Sequence, residues 1–292
     1  MSGEFNELLD STIQHLQSLQ GRGTQFVPVE AETFRALSAG TAAPRSFGAL
    51  ASNPTQPAAA PASAAKVALA VPAAPALNPQ PSTPNPAKVA AMAELRARAM
   101  QCVKCPNLAA SRTQVVFGVG NIDAILMFVG EAPGADEDAQ GEPFVGAAGM
   151  LLTKMIQAMG LARGDVYIGN ILKCRPDMPA GSSGNRKPTS EEMQTCIPYL
   201  HEQIDLIQPK VLVALGGTAV EGLLAKSGIM KLRGHWQTYR GIPLMPTFHP
   251  AYLLRNQSNA EKRKVWEDLM AVMEKLGLPI SEKQRGYFLR AG

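Results

Sequence analysis

Between residues 88 and 278 short aliphatic runs alternate with stretches in which apolar positions recur every three or four residues. Four runs, 123–130 (DAILMFVG), 165–173 (DVYIGNILK), 210–216 (KVLVALG) and 242–248 (IPLMPTF), are rich in β-branched and aliphatic side chains, and each ends near a glycine, cysteine or histidine. They predict strands. The intervening stretches 147–160, 189–207 and 218–226 have helical spacing, and Thr189 with Glu192 forms a capping box for the second. Strands alternating with helices predict parallel pairing with helices on both faces: an α/β fold, a three-layer α/β/α sandwich around a short, mainly parallel central sheet. Ligands of such sheets bind beyond the carboxyl ends of the strands. That places Gly130, Asn170, Gly216 and His249 at or near the expected site.

The pattern stops outside this region. Residues 41–87 hold 26 alanines and prolines among 47 positions, with Arg45 and Lys66 the only charges. So few large side chains cannot offset the entropy of ordering, and the segment is expected to be a disordered, proline-stiffened linker. Ahead of it, within residues 1–40, Phe5, Leu8, Leu9, Ile13 and Leu16 recur at helical spacing. This predicts a helical segment that either packs on the main domain or recruits a protein partner. The expected division is therefore 1–40, 41–87, a folded domain at 88–278 and a tail at 279–292.

Composition narrows the class. A chain of 292 residues with 46% hydrophobic positions can bury a sizeable core, and a formal charge of +4 permits a polyanionic partner without requiring one. No apolar window reaches the eighteen or so residues of a membrane span, and MSGEFNELLD carries acids where a secretion signal would carry lysine or arginine. A cytoplasmic protein is expected. In that compartment the four cysteines, Cys102, Cys105, Cys174 and Cys196, are not expected to be disulfides. A Cys-x-x-Cys pair followed by two single cysteines with 21 residues between them reads as a metal site, and the spacing suits an iron–sulfur cluster better than a zinc ribbon. Zinc is the alternative, and four unrelated core cysteines the plain one.

The stretch GEAPGADEDAQGEPFVGAAGMLL, Gly130 to Leu152, is rich in glycine like a phosphate loop, yet it carries Glu131, Asp136, Glu137, Asp138 and Glu142. Carboxylates repel phosphate. A neutral planar ligand fits better, with Phe144 as a stacking face and the glycines at 141, 146 and 149 letting backbone approach it. The plain alternative makes Phe144 a core residue and the acids a solvated turn.

Taken with VYIGNILKCRP, PTSEEMQTCIPYL, VALGGTA, LRG and TFHPAYLLR, this loop resembles the family 4 uracil-DNA glycosylases, over about residues 102–278. The resemblance implies an enzyme of DNA base-excision repair that flips uracil out of single- or double-stranded DNA and hydrolyses its N-glycosidic bond. It implies a 4Fe–4S cluster on the four cysteines, with zinc again the alternative. Phe144 matches the residue that stacks on uracil, Asn170 the amide that reads the base edge, Glu137 the group that blocks the C5 edge, and His249 the donor at O2. Glu131 is left to position water, and Ala132 adds a methyl near the pocket floor where many members carry glycine. Leu253 and Leu254 have the form of a wedge between bases, and Arg255, Lys231 and Arg233 that of phosphate contacts, with Lys173, Arg175, Arg186 and Lys187 extending the patch. No membrane is implied, and the protein is expected to be a monomer. The alternative is a non-catalytic nucleic-acid-binding protein of the same fold.

Overall fold

The computed structural model describes residues 85–179 and 184–289, all within the second of two units, Met1–Ala70 and Val71–Gly292, into which the chain divides. The expected N-terminal helix, the expected linker as far as residue 84, residues 180–183 and the last three residues lie outside the described residues.

Six strands form one sheet: β1 (Val119–Gly120), β2 (Leu126–Gly130), β3 (Tyr167–Asn170), β4 (Val211–Leu215), β5 (Gln237–Tyr239) and β6 (Ile242–Thr247), in the order β1-β3-β2-β4-β6-β5. Each of the four predicted runs contains a strand, and these four pair in parallel. The two short edge strands are antiparallel additions. The β5–β6 hairpin turns through Arg240 and Gly241, both at positive φ (50° and 79°), the geometry of a two-residue turn whose twist suits a hairpin.

Ten helices accompany the sheet: α1 (Pro86–Met100), α2 (Pro106–Ser111), α3 (Ala135–Gln140), α4 (Ala147–Ala158), α5 (Ser190–Ile207), α6 (Gly217–Leu224), α7 (Ile229–Leu232), α8 (Pro250–Arg255), α9 (Asn259–Leu276) and α10 (Glu282–Arg285) among the described residues. Side chains alternate across the strands and divide the core in two. Met127, Val129, Leu212 and Ala214 face α1, α5 and α6, whereas Leu126, Phe128, Val211 and Val213 face α4 and α9. The central strands are buried on both faces, which is why their sequences read as continuous aliphatic runs. Each such fully buried side chain contributes on the order of 1.5–3 kcal/mol.

Helix α5 begins as expected, Thr189 Oγ1 accepting from Glu192 N and Glu192 Oε2 from Thr189 N. Helix α1 takes in residues 86 and 87 of the expected linker, because Asn85 caps it and Pro86 supplies its first turn. The described part of the tail is also held in place. Gln284 Nε2 donates to Ala158 O at 2.8 Å and Trp266 Nε1 to Gln284 O at 2.6 Å, so the described part of 279–292 packs on α9 and the end of α4. Among the described residues, no helix is long and apolar enough to cross a membrane.

The strand order places β2 between β3 and β4, so the chain leaves β2 first to one side and later to the other. A crevice opens where the order reverses. Gly130 pairs with Asn170 across β2 and β3, and Leu215 with Thr247 across β4 and β6, which brings Gly130, Asn170, Gly216 and His249 to one edge of the sheet.

Candidate active site

The acidic loop leaves β2 at Gly130 and is held mainly by its own carboxylates. Glu137 Oε2 accepts from Gly134 N at 3.1 Å, and Oε1 from Val145 N at 3.0 Å and Gly146 N at 3.1 Å. Asp138, buried, accepts from Thr113 N with both oxygens, at 3.0 and 2.9 Å. These two acids organise backbone, and a solvated turn does not describe them. The glycines have the same kind of task. A Cβ on Gly149 would lie 1.7 Å from Phe144 O, and one on Gly146 2.5 Å from Asp136 Oδ2, so these residues admit neighbouring parts of the loop rather than a ligand.

The result of this bracing is Phe144 at φ 56°, a left-handed conformation that a phenylalanine adopts only under constraint. Arg163 adds to the constraint from outside, its guanidinium donating to Pro143 O at 2.7 Å. The Phe144 ring is buried and stacks on His249, with centroids 5.5 Å apart and planes at 29°. Asn170 stands beside it, since a Cβ on Gly130 would meet both Asn170 Oδ1 (2.4 Å) and the tip of the Phe144 ring (2.6 Å). Only a glycine leaves room there. Asn170 is 2% exposed, and its Oδ1 has no hydrogen-bond partner. An orphaned, buried acceptor beside the Phe144 ring is the strongest sign of a ligand in this structure.

His249 caps α8, and its Nδ1 accepts from Ala251 N at 3.1 Å. That bond assigns the proton to Nε2 when the ring is neutral. Burial, with the Arg255 charge acting in the same direction, holds the imidazole down to about 4. The ring therefore offers a neutral N–H donor at ordinary pH. Thr247, two residues before, donates its hydroxyl to Asp268 Oδ2 at 2.6 Å, and Asp268 in turn pairs with both Arg233 Nε and its terminal nitrogen. Arg233, expected to hold phosphate, instead serves this buried ion pair, because Asp268 on α9 is 1% exposed and requires a cation.

A cleft of about 630 Å³ is lined among others by Glu131, Ala132, Met230, His249, Tyr252 and Arg255. Burial lifts the Glu131 carboxyl above its ordinary range, against the opposing pull of a hydrogen bond from Thr218 and of Lys187. Arg255 and Lys231 are exposed beside or near this opening. Leu254 is 38% exposed, whereas Leu253 is 5% exposed and packs in the core with α4 and α9, so only the first has the surface a wedge needs. Of the expected basic patch, Arg186 pairs with Asp177 and Glu192, Lys187 with Glu221, and Arg175 donates to Gly184 O. Lys173 is 2% exposed, its ammonium bonded to Asn170 O and Gln203 Oε1. A buried ammonium cannot reach DNA.

On the far side of Asn170, Cys102, Cys105, Cys174 and Cys196 line one small apolar pocket of about 20 Å³. Arg112 donates to Cys174 Sγ at 3.2 Å and Lys173 N to Cys196 Sγ at 3.2 Å, a pattern of N–H donors aimed at sulfur. Among the described residues, no three Cys, His, Asp or Glu side chains are grouped closely enough to hold a single metal ion. Four cysteine sulfurs lining one void are a donor set that zinc or an iron–sulfur cluster takes.

Sequence reading missed Arg163, Thr218, Thr247 and Asp268. Only Asp268 offered a signal, a lone carboxylate on the apolar side of α9.

Residues 117–270 match the family model of the uracil DNA glycosylase superfamily, and the chain belongs to that superfamily. Its likeness is to the type-4 branch. It is 48% identical over 177 residues to a type-4 uracil-DNA glycosylase of Thermotoga maritima, covering 59% of this chain and 88% of that protein. It is 39% identical over 206 residues to one from Sulfurisphaera tokodaii, covering 67% and 89%. A type-5 enzyme of Thermus thermophilus is 28% identical over 214 residues.

Proposed function

We propose that this protein excises uracil from DNA, hydrolysing the N-glycosidic bond to leave an abasic site and free uracil. The observation that carries the proposal is the unpartnered Oδ1 of buried Asn170 beside the Phe144 ring, which stacks on His249, in a chain of the glycosylase superfamily. A side-chain amide presents one acceptor and one donor face, so it can accept from uracil N3–H and donate to O4, a pattern that cytosine reverses. Phe144 stacks on the flipped base. Glu137 fixes the loop that carries Phe144 and stands against the C5 edge, where thymine bears a methyl.

Bond breaking leaves positive charge on the sugar and negative charge on the departing base. His249 Nε2–H donates to O2 as that oxygen gains charge. Glu131, at the cleft, orients the water that attacks the sugar carbon, and Ala132 lies on the cleft floor. Leu254, with Leu253 as its buried support, fills the gap in the stack, while Arg255 and Lys231 hold phosphates.

The four cysteines are assigned to a 4Fe–4S cluster. When bound, the cluster supplies a covalent tie and no electron transfer; Cys102 and Cys105 anchor the segment between α1 and α2, Cys174 and Cys196 the loop after β3 and helix α5. The protein acts in the cytoplasm as a monomer, and residues 1–40, on the linker that follows, recruit a protein partner without entering the chemistry.

The test is incubation with a uracil-containing oligonucleotide, then alkali. Strand cleavage at uracil, with uracil released, is expected; intact strands after prolonged incubation with iron-loaded protein would leave the non-catalytic binding protein standing.

A further inference from the structure

A residue that reads a base must be held firmly without using the atoms that read. Asn170 meets that condition in a way its own side chain does not explain. Its Oδ1 is free of protein partners, and beyond the strand pairing with Gly130 its backbone carbonyl accepts a side-chain bond. Lys173 Nζ, three residues further along the chain, donates to Asn170 O at 2.9 Å and to Gln203 Oε1 at 2.6 Å. Gln203, wholly buried on α5, is itself fixed: its Nε2 donates to Phe117 O and to Tyr167 Oη, both at 2.9 Å. Tyr167 opens β3 and Asn170 closes it, so the network returns to the strand it started from. It also packs down on Gly169, where a Cβ would stand 3.7 Å from Lys173 Nζ and 3.8 Å from Gln203 Oε1. At its other end Lys173 bonds through its backbone N–H to Cys196 Sγ at 3.2 Å.

We propose that Lys173 is a positioning residue for base recognition: it pins the peptide of Asn170 from beneath and joins that peptide to the cysteine pocket. This rests on Asn170 as the reader of the base. Three properties support it. The bond from an ammonium to a buried carbonyl is charge-assisted and among the stronger kinds. Every polar atom of the Gln203 amide is used, so its orientation is fixed. And the hydrogen bond of Lys173 to the cysteine side runs through its backbone N–H, which leaves the hydrogen bonds of the ammonium to Asn170 and Gln203. The lysine is thus bound to the reading amide's strand and to the cysteine pocket by separate atoms.

Lys173→Met removes the ammonium and keeps the stem. In the full chain carrying its cluster, titration with free uracil should give a Kd raised roughly ten- to a hundredfold. On single-stranded uracil DNA, KM should rise while kcat stays within about threefold, as expected when ground state and transition state lose the same contact. A purely structural lysine would lower the melting temperature and the active fraction, and leave the Kd of the folded fraction unchanged. A Kd within about twofold of wild type therefore overturns the proposal. Should Lys173→Met fail to fold, Gln203→Leu removes the ammonium's second partner and is read by the same titration, with the same two outcomes. Wild-type protein that neither binds uracil nor releases it from DNA refutes the glycosylase function itself, and the positioning role falls with it.

Discussion

The state of His249 makes a prediction that separates two kinds of catalysis. An imidazolium would stabilise the departing uracil by full charge and would appear below pH 6.5; a neutral ring does so by one hydrogen bond and keeps doing so across the working range. The Nδ1 contact with Ala251 and the burial that holds the ring down to about 4 decide for the neutral form. One donor aimed at developing charge is worth about 10- to 1000-fold in rate, roughly 1.4–4 kcal/mol. His249→Ala should cost that much in single-turnover release of uracil, with DNA affinity far less changed. The informative quantity is the ratio of wild-type to His249→Ala rates from pH 5 to 8. Glu131, lifted by burial, shapes the acid limb of both proteins and cancels in the ratio, so the ratio should be flat. A ratio that climbs tenfold as pH falls through 6.5 would show an imidazolium at work and refute the reasoning. The same low value has a consequence for stability. Because the unfolded chain binds the proton near 6.5 and the folded one only near 4, stability falls as pH drops between those values, by an amount on the order of 3 kcal/mol for this group.

Asn170→Asp loses the amide donor to O4, so uracil cleavage should fall at least tenfold while the fold persists; wild-type rates on uracil would mean that another group reads the base. Gly149→Ala puts a methyl 1.7 Å from Phe144 O and should push that loop out of place, lowering the melting temperature by several degrees and activity by more than Gly160→Ala, where a Cβ meets nothing within 4 Å but the backbone is at φ 81°. Cys102→Ser should lower iron per chain and melting temperature together; equal iron in the two proteins would remove Cys102 from the ligand set. A chain beginning at residue 71, the start of the second unit, should excise uracil from short oligonucleotides at close to the full-length rate, since each residue assigned to the site lies at or beyond Cys102, and an inactive, iron-loaded truncation would contradict that assignment.

The local pattern determined a good deal. The four parallel strands, helices α4 to α6 and the Thr189–Glu192 cap were legible because each rests on contacts between residues near in sequence, or on burial of a whole run. The gathering of Gly130, Asn170, Gly216 and His249 at one sheet edge followed as well, since the ends of parallel strands come together where their order reverses. The edge strands were not legible. β1 is two residues long, and the β5–β6 turn uses Arg240 where asparagine or aspartate would have announced it. Nor could composition tell which charges are committed. Asp138, Glu137, Arg233 and Lys173 look like solvent-facing or ligand-facing groups along the chain, but the folded structure gives Asp138, Glu137 and Arg233 partners as far as 25, 9 and 35 residues away, and Lys173 the nearby Asn170 and the distant Gln203. Charge in a sequence states only that a partner is required; folding chooses between water, DNA and protein, because burial makes an unpaired charge costly and forces the choice. Leu253 and Leu254 differ for a related reason. Side by side in sequence, they point one into the core and one outward from α8, and that division belongs to the packing of the helix alone.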